Sequence, residues 1–205
     1  MKRVLFGFIL GFTPIALAAR TDDALVKQLD NEVIALKQRI AAMNELVEEC
    51  GGGKAPAPIF AELVQLYAGS PVSVKRRGGR TLVVIPADLV FPGDSLSIRE
   101  EAAFALDMVS TALANHPDES VLITGHTDTE PPAAALRKRY PTNWELSTAY
   151  ANAVGASLIS EYKLDPARIT IAGRADQDPN DTNDTPEGRA ANRRVVLTLS
   201  PGKYP

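Results

Sequence analysis

The residues that could carry chemistry in this chain mostly exclude functions. Cys50 is the only cysteine among 205 residues, which rules out an intramolecular disulfide and every multi-cysteine zinc site. His116 and His126 are the only histidines, too few for a His-rich metal centre. Asp176, Asp178, Asn180 and Glu187 fall at positions 1, 3, 5 and 12 of a calcium-loop pattern. Position 6 of that pattern needs Gly for its sharp turn, and Asp181 stands there instead; a polar loop is enough to explain the acids. Asp128 with Asp94 has the residue types of a general acid and base, but nothing in the sequence selects the pair. No Ser-His-Asp or Cys-His arrangement is recognisable. The expectation is a non-catalytic chain with no metal and no cofactor.

Composition narrows the partners. The chain is 45% hydrophobic and 23% charged, the balance of a folded soluble domain rather than a disordered one. Its length allows one domain of ordinary size plus an appendage. With 22 basic and 25 acidic side chains, the net charge of −3 gives no electrostatic attraction for nucleic acid.

The appendage is at the start. Met1-Lys2-Arg3 is a short positive region, residues 4–19 carry no charge, and Ala16-Leu17-Ala18 offers small residues at both cleavage-determining positions. That is the grammar of a signal peptide over residues 1–18. The alternative is an uncleaved anchor, although the uncharged run is shorter than the roughly 20 residues a bilayer span needs. Either way the rest of the chain leaves the cytoplasm.

Residues 19–50 read as a heptad helix. Val26, Leu29, Val33, Leu36, Ile40, Met43, Val47 and Cys50 keep a strict 3-4 spacing. With Val26 as position a, β-branched residues fill every a site and the d series runs Leu, Leu, Met, Cys, a pattern that favours two parallel strands. Glu32 at g and Lys37 at the following e could pair across such a homodimer through residues 26–50. Cys50, at d, would then face its copy as an intermolecular disulfide. The alternative is an amphipathic helix packed on its own domain, with Cys50 a free thiol. Residues 51–71 form a connecting stretch: Gly51-Gly52-Gly53 stops the helix, an Ala-Pro run follows, and residues 59–68 have helical spacing.

The elements of the folded part, residues 72–200, follow from periodicity. Residues 71–75 alternate, Arg77-Gly78-Gly79 turns, and residues 81–85 are β-rich, which together read as a hairpin. Residues 97–114 have helical spacing, with Ser97 and Glu100 placed for a capping box. Residues 121–124 form a short buried strand. Thr142 and Glu145 open a second capped helix reaching to about Tyr162. Residues 168–172 and 195–199 read as two further strands. The result is an α+β fold: a β-α-β-α-β core with an extra edge strand, one sheet packed under two helices.

Four motifs then occur in order. Gly125-His126-Thr127-Asp128 follows a strand, and Asn143-Trp144-Glu145-Leu146-Ser147 opens the next helix. Ile169 to Gly173 ends in Gly, and Asn183 to Val195, containing Asn192-Arg193-Arg194, leads into the last strand. Together they resemble the OmpA C-terminal-like, or MotB-like, peptidoglycan-binding domain, with the Asn-Trp-Glu-Leu-Ser form closer to the MotB branch. The resemblance covers roughly residues 72 to 200. It implies a ligand, the stem peptide of peptidoglycan, gripped at the zwitterionic end of diaminopimelate. By resemblance Asp128 supplies the anion for its ammonium, Asn143 adds a polar contact, Arg193 lies at the rim, and Asp94 matches a further contact. An Arg fork suits the ligand carboxylate.

One departure is specific to this chain. The family pattern Leu-Ser-x-x-Arg-Ala is Leu146-Ser147-Thr148-Ala149-Tyr150-Ala151 here, so Tyr150 stands where the clamping Arg is expected. Tyr donates one hydrogen bond and carries no positive charge near neutrality. Loss of a charge-assisted contact costs about 1.5–3 kcal/mol, roughly ten- to hundredfold in affinity. Arg137, Lys138 and Arg139, in the insertion before the helix, are cations that could replace it.

Two functions are therefore open. One is a periplasmic, non-catalytic protein of the cell envelope that docks on peptidoglycan, its N-terminal helix dimerising or meeting an envelope protein partner. The other is a degenerate domain that kept the fold, lost the ligand and serves as an interaction scaffold. A stator subunit would need a carboxylate in its membrane helix, and residues 4–19 contain none.

Overall fold

The computed structural model describes residues 27, 29, 31–40, 57–93 and 95–202. The signal segment, Asp94, Cys50 and the rest of residues 41–56 lie outside the described residues.

Five strands form one sheet. They are β1 (Ser73–Arg77), β2 (Arg80–Pro86), β3 (Glu119–His126), β4 (Ile169–Gly173) and β5 (Arg194–Pro201), in the order β1-β2-β5-β3-β4. All neighbours are antiparallel except β3 and β4. The β1–β2 hairpin closes through Gly78 and Gly79, whose φ values of 58° and 76° are the left-handed pair that a two-residue hairpin turn needs. A parallel β3–β4 pair cannot be joined by a turn and needs a crossover. The helix α6 (Asn143–Ser160) makes that crossover and packs on both strands.

The other helices are α1 (described over residues 31–40), α2 (Pro58–Leu66), α3 (Ala87–Val90), α4 (Glu100–Asn115), α5 (Ala134–Arg137) and α7 (Pro186–Asn192). α2 lies against α4 and β1. Although the sequence placed it in the connecting stretch, it contributes the fully buried Ile59, Leu63 and Tyr67 to the core. The Tyr67 hydroxyl donates to Ala105 O at 2.5 Å, and burial raises its pKa well above that of free tyrosine. Leu106, Val109 and Leu113 of α4 and Val154 and Leu158 of α6 meet Val83, Ile123, Leu197 and Leu199 of the sheet, all wholly buried. Each such aliphatic side chain contributes about 1.5–3 kcal/mol.

The start of α4 corrects the sequence reading. The helix begins at Glu100 with Arg99 as N-cap, and no side chain caps it. The Ser97 N–H donates to Ser95 Oγ, 3.0 Å away, and the two hydroxyls meet at 2.8 Å. The Arg99 N–H donates to Val90 O at 2.8 Å. A main-chain contact with the end of α3 sets the helix start, two residues after the one the Ser97–Glu100 capping box implies.

The second capping box is present as expected. Thr142 N donates to Glu145 Oε2 at 2.8 Å, and Glu145 N donates to Thr142 Oγ1 at 3.5 Å. Beneath this first turn, Gly125 and Gly173 stand side by side in register on β3 and β4. A Cβ on Gly125 would collide with the Ser147 carbonyl, and one on Gly173 would lie 2.7 Å from Ser147 Oγ. The two glycines let the N-terminal turn of α6 rest directly on the strand ends. Ser147 locks it there, donating to Trp144 O and accepting from Ala175 N, both at 3.0 Å.

Candidate functional site

The glycine contact fixes what lies just beyond it. Asp128 leaves the end of β3 three residues after Gly125, and Asn143 is the first residue of α6. Asn143 Nδ2 donates to Asp128 O and Glu130 O, both at 3.0 Å. Two carbonyl acceptors fix the orientation of the amide, because only its NH2 can serve them. Asn143 Oδ1 then points away, buried and without a hydrogen-bond partner among the described residues. Thr142, not Asn143, caps the helix, which leaves Asn143 to hold the 128–130 loop.

Asp128 is 5% exposed, and its carboxylate does two things at once. Oδ1 accepts from the Glu130 N–H at 3.0 Å, capping its own turn. Oδ2 accepts from Arg193 Nη1 at 2.7 Å. The same guanidinium donates from Nη2 to Asp88 Oδ2 at 2.9 Å. The hydrogen bond to Asp88 is the largest influence on Arg193 and raises its pKa above that of free arginine; burial opposes this and Asp128 adds to it. Arg193 is therefore a fixed cation held between a buried carboxylate and an exposed one.

Sequence reasoning missed Asp88. It sits on the four-residue α3, which has no periodicity of its own, and reaches the site through strand register. Pro86 pairs with Arg194, and the Ala87 N–H donates to Arg193 O at 2.9 Å. A carboxylate two residues past a strand whose partner begins at Arg194 is the signal that could have found it.

Tyr150 faces the same cleft as an aromatic wall. Its ring stacks on Phe91, with centroids 5.0 Å apart and planes 12° from parallel. Burial pushes its phenol up to about 12, with the Arg193 charge pulling the other way, so it is neutral at physiological pH. The insertion cations do not replace the missing Arg: Arg137 Nε donates to Pro132 O at 3.0 Å, and the Arg139 guanidinium lies 5.6 Å from the Tyr140 ring centroid. Among the described residues Arg193 is the cation that lines the cleft.

Asp88, Asp128, Asn143, Tyr150 and Arg193 line one cleft of about 300 Å³, floored by Phe91 and Leu146. Of the residues chosen from sequence, Asp128, Asn143, Tyr150 and Arg193 are brought together; Asp94 and Cys50 are outside the described residues. The acidic loop of residues 176–187 is built differently. Asn192 Oδ1 accepts from Asn180 N and Asp181 N at 2.7 and 2.9 Å, and its NH2 donates to Asp181 O. Asn192 thus takes the bonds that shape this loop, and Asp181 meets the rest of the fold through its main chain.

A single-sheet α+β domain with a charged cleft at the strand ends, closed by an Asn-Trp-Glu-Leu-Ser helix start, defines a recognisable class. The OmpA family model matches residues 90–193, and the chain belongs to that family. It is 32% identical over 141 residues to Probable lipoprotein YiaD of Escherichia coli K12, covering 69% of this chain and 61% of that protein. It is 31% identical over 120 residues to Motility protein B of Bacillus subtilis 168, covering 58% of this chain and 45% of that one. The cell wall anchor of the T6SS from Pseudomonas aeruginosa matches with a TM-score of 0.59 at 36% identity, covering 71% of this chain and 96% of that one. A MotB-like protein of Desulfovibrio vulgaris shares the fold, with a TM-score of 0.64 at 21% identity over 82% of this chain and 97% of that one. The chain thus spans about three fifths of the length of the lipoprotein and less than half that of the motility protein. Among the described residues no helix is long and apolar enough to cross a membrane.

Proposed function

We propose that this protein is a non-catalytic envelope protein whose cleft holds the zwitterionic amino-acid end of diaminopimelate in peptidoglycan stem peptides. The observation that carries the reading is the polar set around Arg193. Asp128 and the unpartnered Asn143 Oδ1 offer acceptors to an ammonium, and Arg193 offers donors to the adjacent carboxylate. Asp128 and the exposed Glu130 outnumber the single cation lining the cleft among the described residues, which favours the ammonium end. Arg193 takes the part expected of the Arg that Tyr150 replaces. Its bond to the exposed Asp88 is the one a ligand carboxylate displaces at little cost, since exposed ion pairs are worth about 0–1 kcal/mol. The wall-anchor neighbour and the MotB-like relatives support this reading.

A second reading has its own observation: Tyr150 is stacked into the wall, and Arg193 is already satisfied by two carboxylates. On that reading the fold is an interaction scaffold with no wall ligand. Co-sedimentation of the full-length protein with diaminopimelate-type sacculi separates the two. Wall docking requires wild type to pellet only when sacculi are present, with Asp128→Asn and Arg193→Ala losing at least roughly tenfold in affinity while keeping the wild-type circular dichroism. If folded wild type stays in the supernatant, the scaffold reading replaces it.

A further inference from the structure

The helix α1 touches its own domain with its polar side. Ala35, Gln38 and Arg39 close against Val64, Tyr67 and Val72, and Gln38 Nε2 donates to Ser70 O at 3.4 Å. Ala35 and Gln38 are the half-buried residues of the segment 31–40. The 3-4 spaced apolar residues are elsewhere: Leu29, Val33, Leu36 and Ile40 are 50%, 45%, 54% and 57% exposed. At 3.6 residues per turn the two sets are centred roughly 140° apart. An amphipathic helix packed on its own domain turns its apolar stripe inward. Here the stripe is largely exposed, although Leu36 also borders Ala68 and Gly69 of the domain.

We propose that this stripe is the seam of a parallel, in-register homodimer with a second copy of this chain. Three features select that occupant. Val33 and Ile40 are β-branched at a, and Leu29 and Leu36 are Leu at d, the assignment that favours two parallel strands. Glu32 at g lies opposite Lys37 at e of an identical, parallel helix, so the copy itself supplies the complementary charge. The 3-4 spacing also continues in the sequence through Met43 and Val47 to Cys50. Because each domain is held on the far side of its helix, both domains lie outside the two-helix seam. The inference is independent of what the cleft binds.

Sedimentation equilibrium of the full-length protein at micromolar concentration, joined to cysteine cross-linking, tests it. On a Cys50→Ser background, Leu36→Cys and Ile40→Cys place thiols in the seam, whereas Ile34→Cys is equally exposed but off the stripe. The expected result is twice the monomer mass, rapid disulfide dimers for Leu36→Cys and Ile40→Cys, little for Ile34→Cys, and loss of the dimer in Leu36→Asp with an unchanged melting temperature. A monomer overturns the proposal. A dimer in which Ile34→Cys cross-links as fast overturns the seam, and a dimer in which neither seam cysteine cross-links overturns the parallel register.

Discussion

Arg193 and Arg194 are consecutive residues that serve opposite faces of the sheet, and what surrounds each explains why only one belongs to the cleft. Arg193 turns to the helix side, with 30% of its side chain exposed, and meets carboxylates of Asp88 and Asp128. Arg194 turns to the open side with 8% exposed and donates to the main-chain carbonyls of Asn192 and Asp178 at 3.2 and 2.8 Å. Burial lowers its pKa from the ordinary guanidinium value, and the Asp178 carboxylate 3.7 Å away pulls it back. A guanidinium bonded to carboxylates can exchange one for a ligand. One bonded to backbone carbonyls is part of the fold.

The comparison is broken at its root by Gly125→Ala. The new Cβ meets the Ser147 main chain, lifting the α6 turn that holds both Asn143 and the Asp128 loop. The expected loss exceeds about 3 kcal/mol, seen as failure to fold or a large drop in the urea midpoint.

Next comes His126, on the Arg194 side. It is 3% exposed, with Nδ1 unpartnered among the described residues, and burial, aided by the Arg194 charge, holds its pKa down to about 4. The unfolded chain binds a proton near pH 6.5 that the folded chain refuses. Stability is therefore full above about pH 6.5 and falls as pH drops toward 4, by about 3 kcal/mol. Denaturant titrations across that window should show the slope in wild type and a flatter one in His126→Gln.

Arg193→Ala and Arg194→Ala sharpen the comparison directly. Each should cost about 1–3 kcal/mol of stability, but sacculus binding per folded molecule should survive in Arg194→Ala and vanish in Arg193→Ala. The smallest effects belong to the cleft's edge. Asp88→Asn frees Arg193 and should tighten sacculus binding by up to about fivefold. Tyr150→Phe keeps the stack on Phe91 and should change stability by less than about 0.5 kcal/mol.

Much of this arrangement was legible in the sequence wherever a local signal and the tertiary structure agree. Gly78-Gly79 specifies its turn by backbone conformation, and Thr142 with Glu145 caps α6 from within four residues. Asp128, Asn143 and Arg193 stood in recognisable motifs. Two of the failures share a cause, which is that long-range backbone contacts leave no periodic trace. Ser97 and Glu100 have the spacing of a capping box, but the Arg99 bond to Val90 decides where α4 starts. Asp88 enters the cleft through the pairing of β2 with β5, two residues before the stretch that matches the family. α7 was legible and missed: Thr185 accepts from Gly188 N and Pro186 follows it, an ordinary helix start.

The strand order has a consequence for how the chain comes to be folded. β5 is the last strand made, and it lies between β2 and β3. Until residues 194–201 arrive, the chain holds a separate hairpin and a separate parallel pair, with no strand to join them into one sheet. A lone hairpin is marginal in water, and pairings this distant in sequence form slowly. The core therefore closes only when β5 is delivered. A chain threaded through a membrane amino terminus first would complete this sheet only after β5 had crossed.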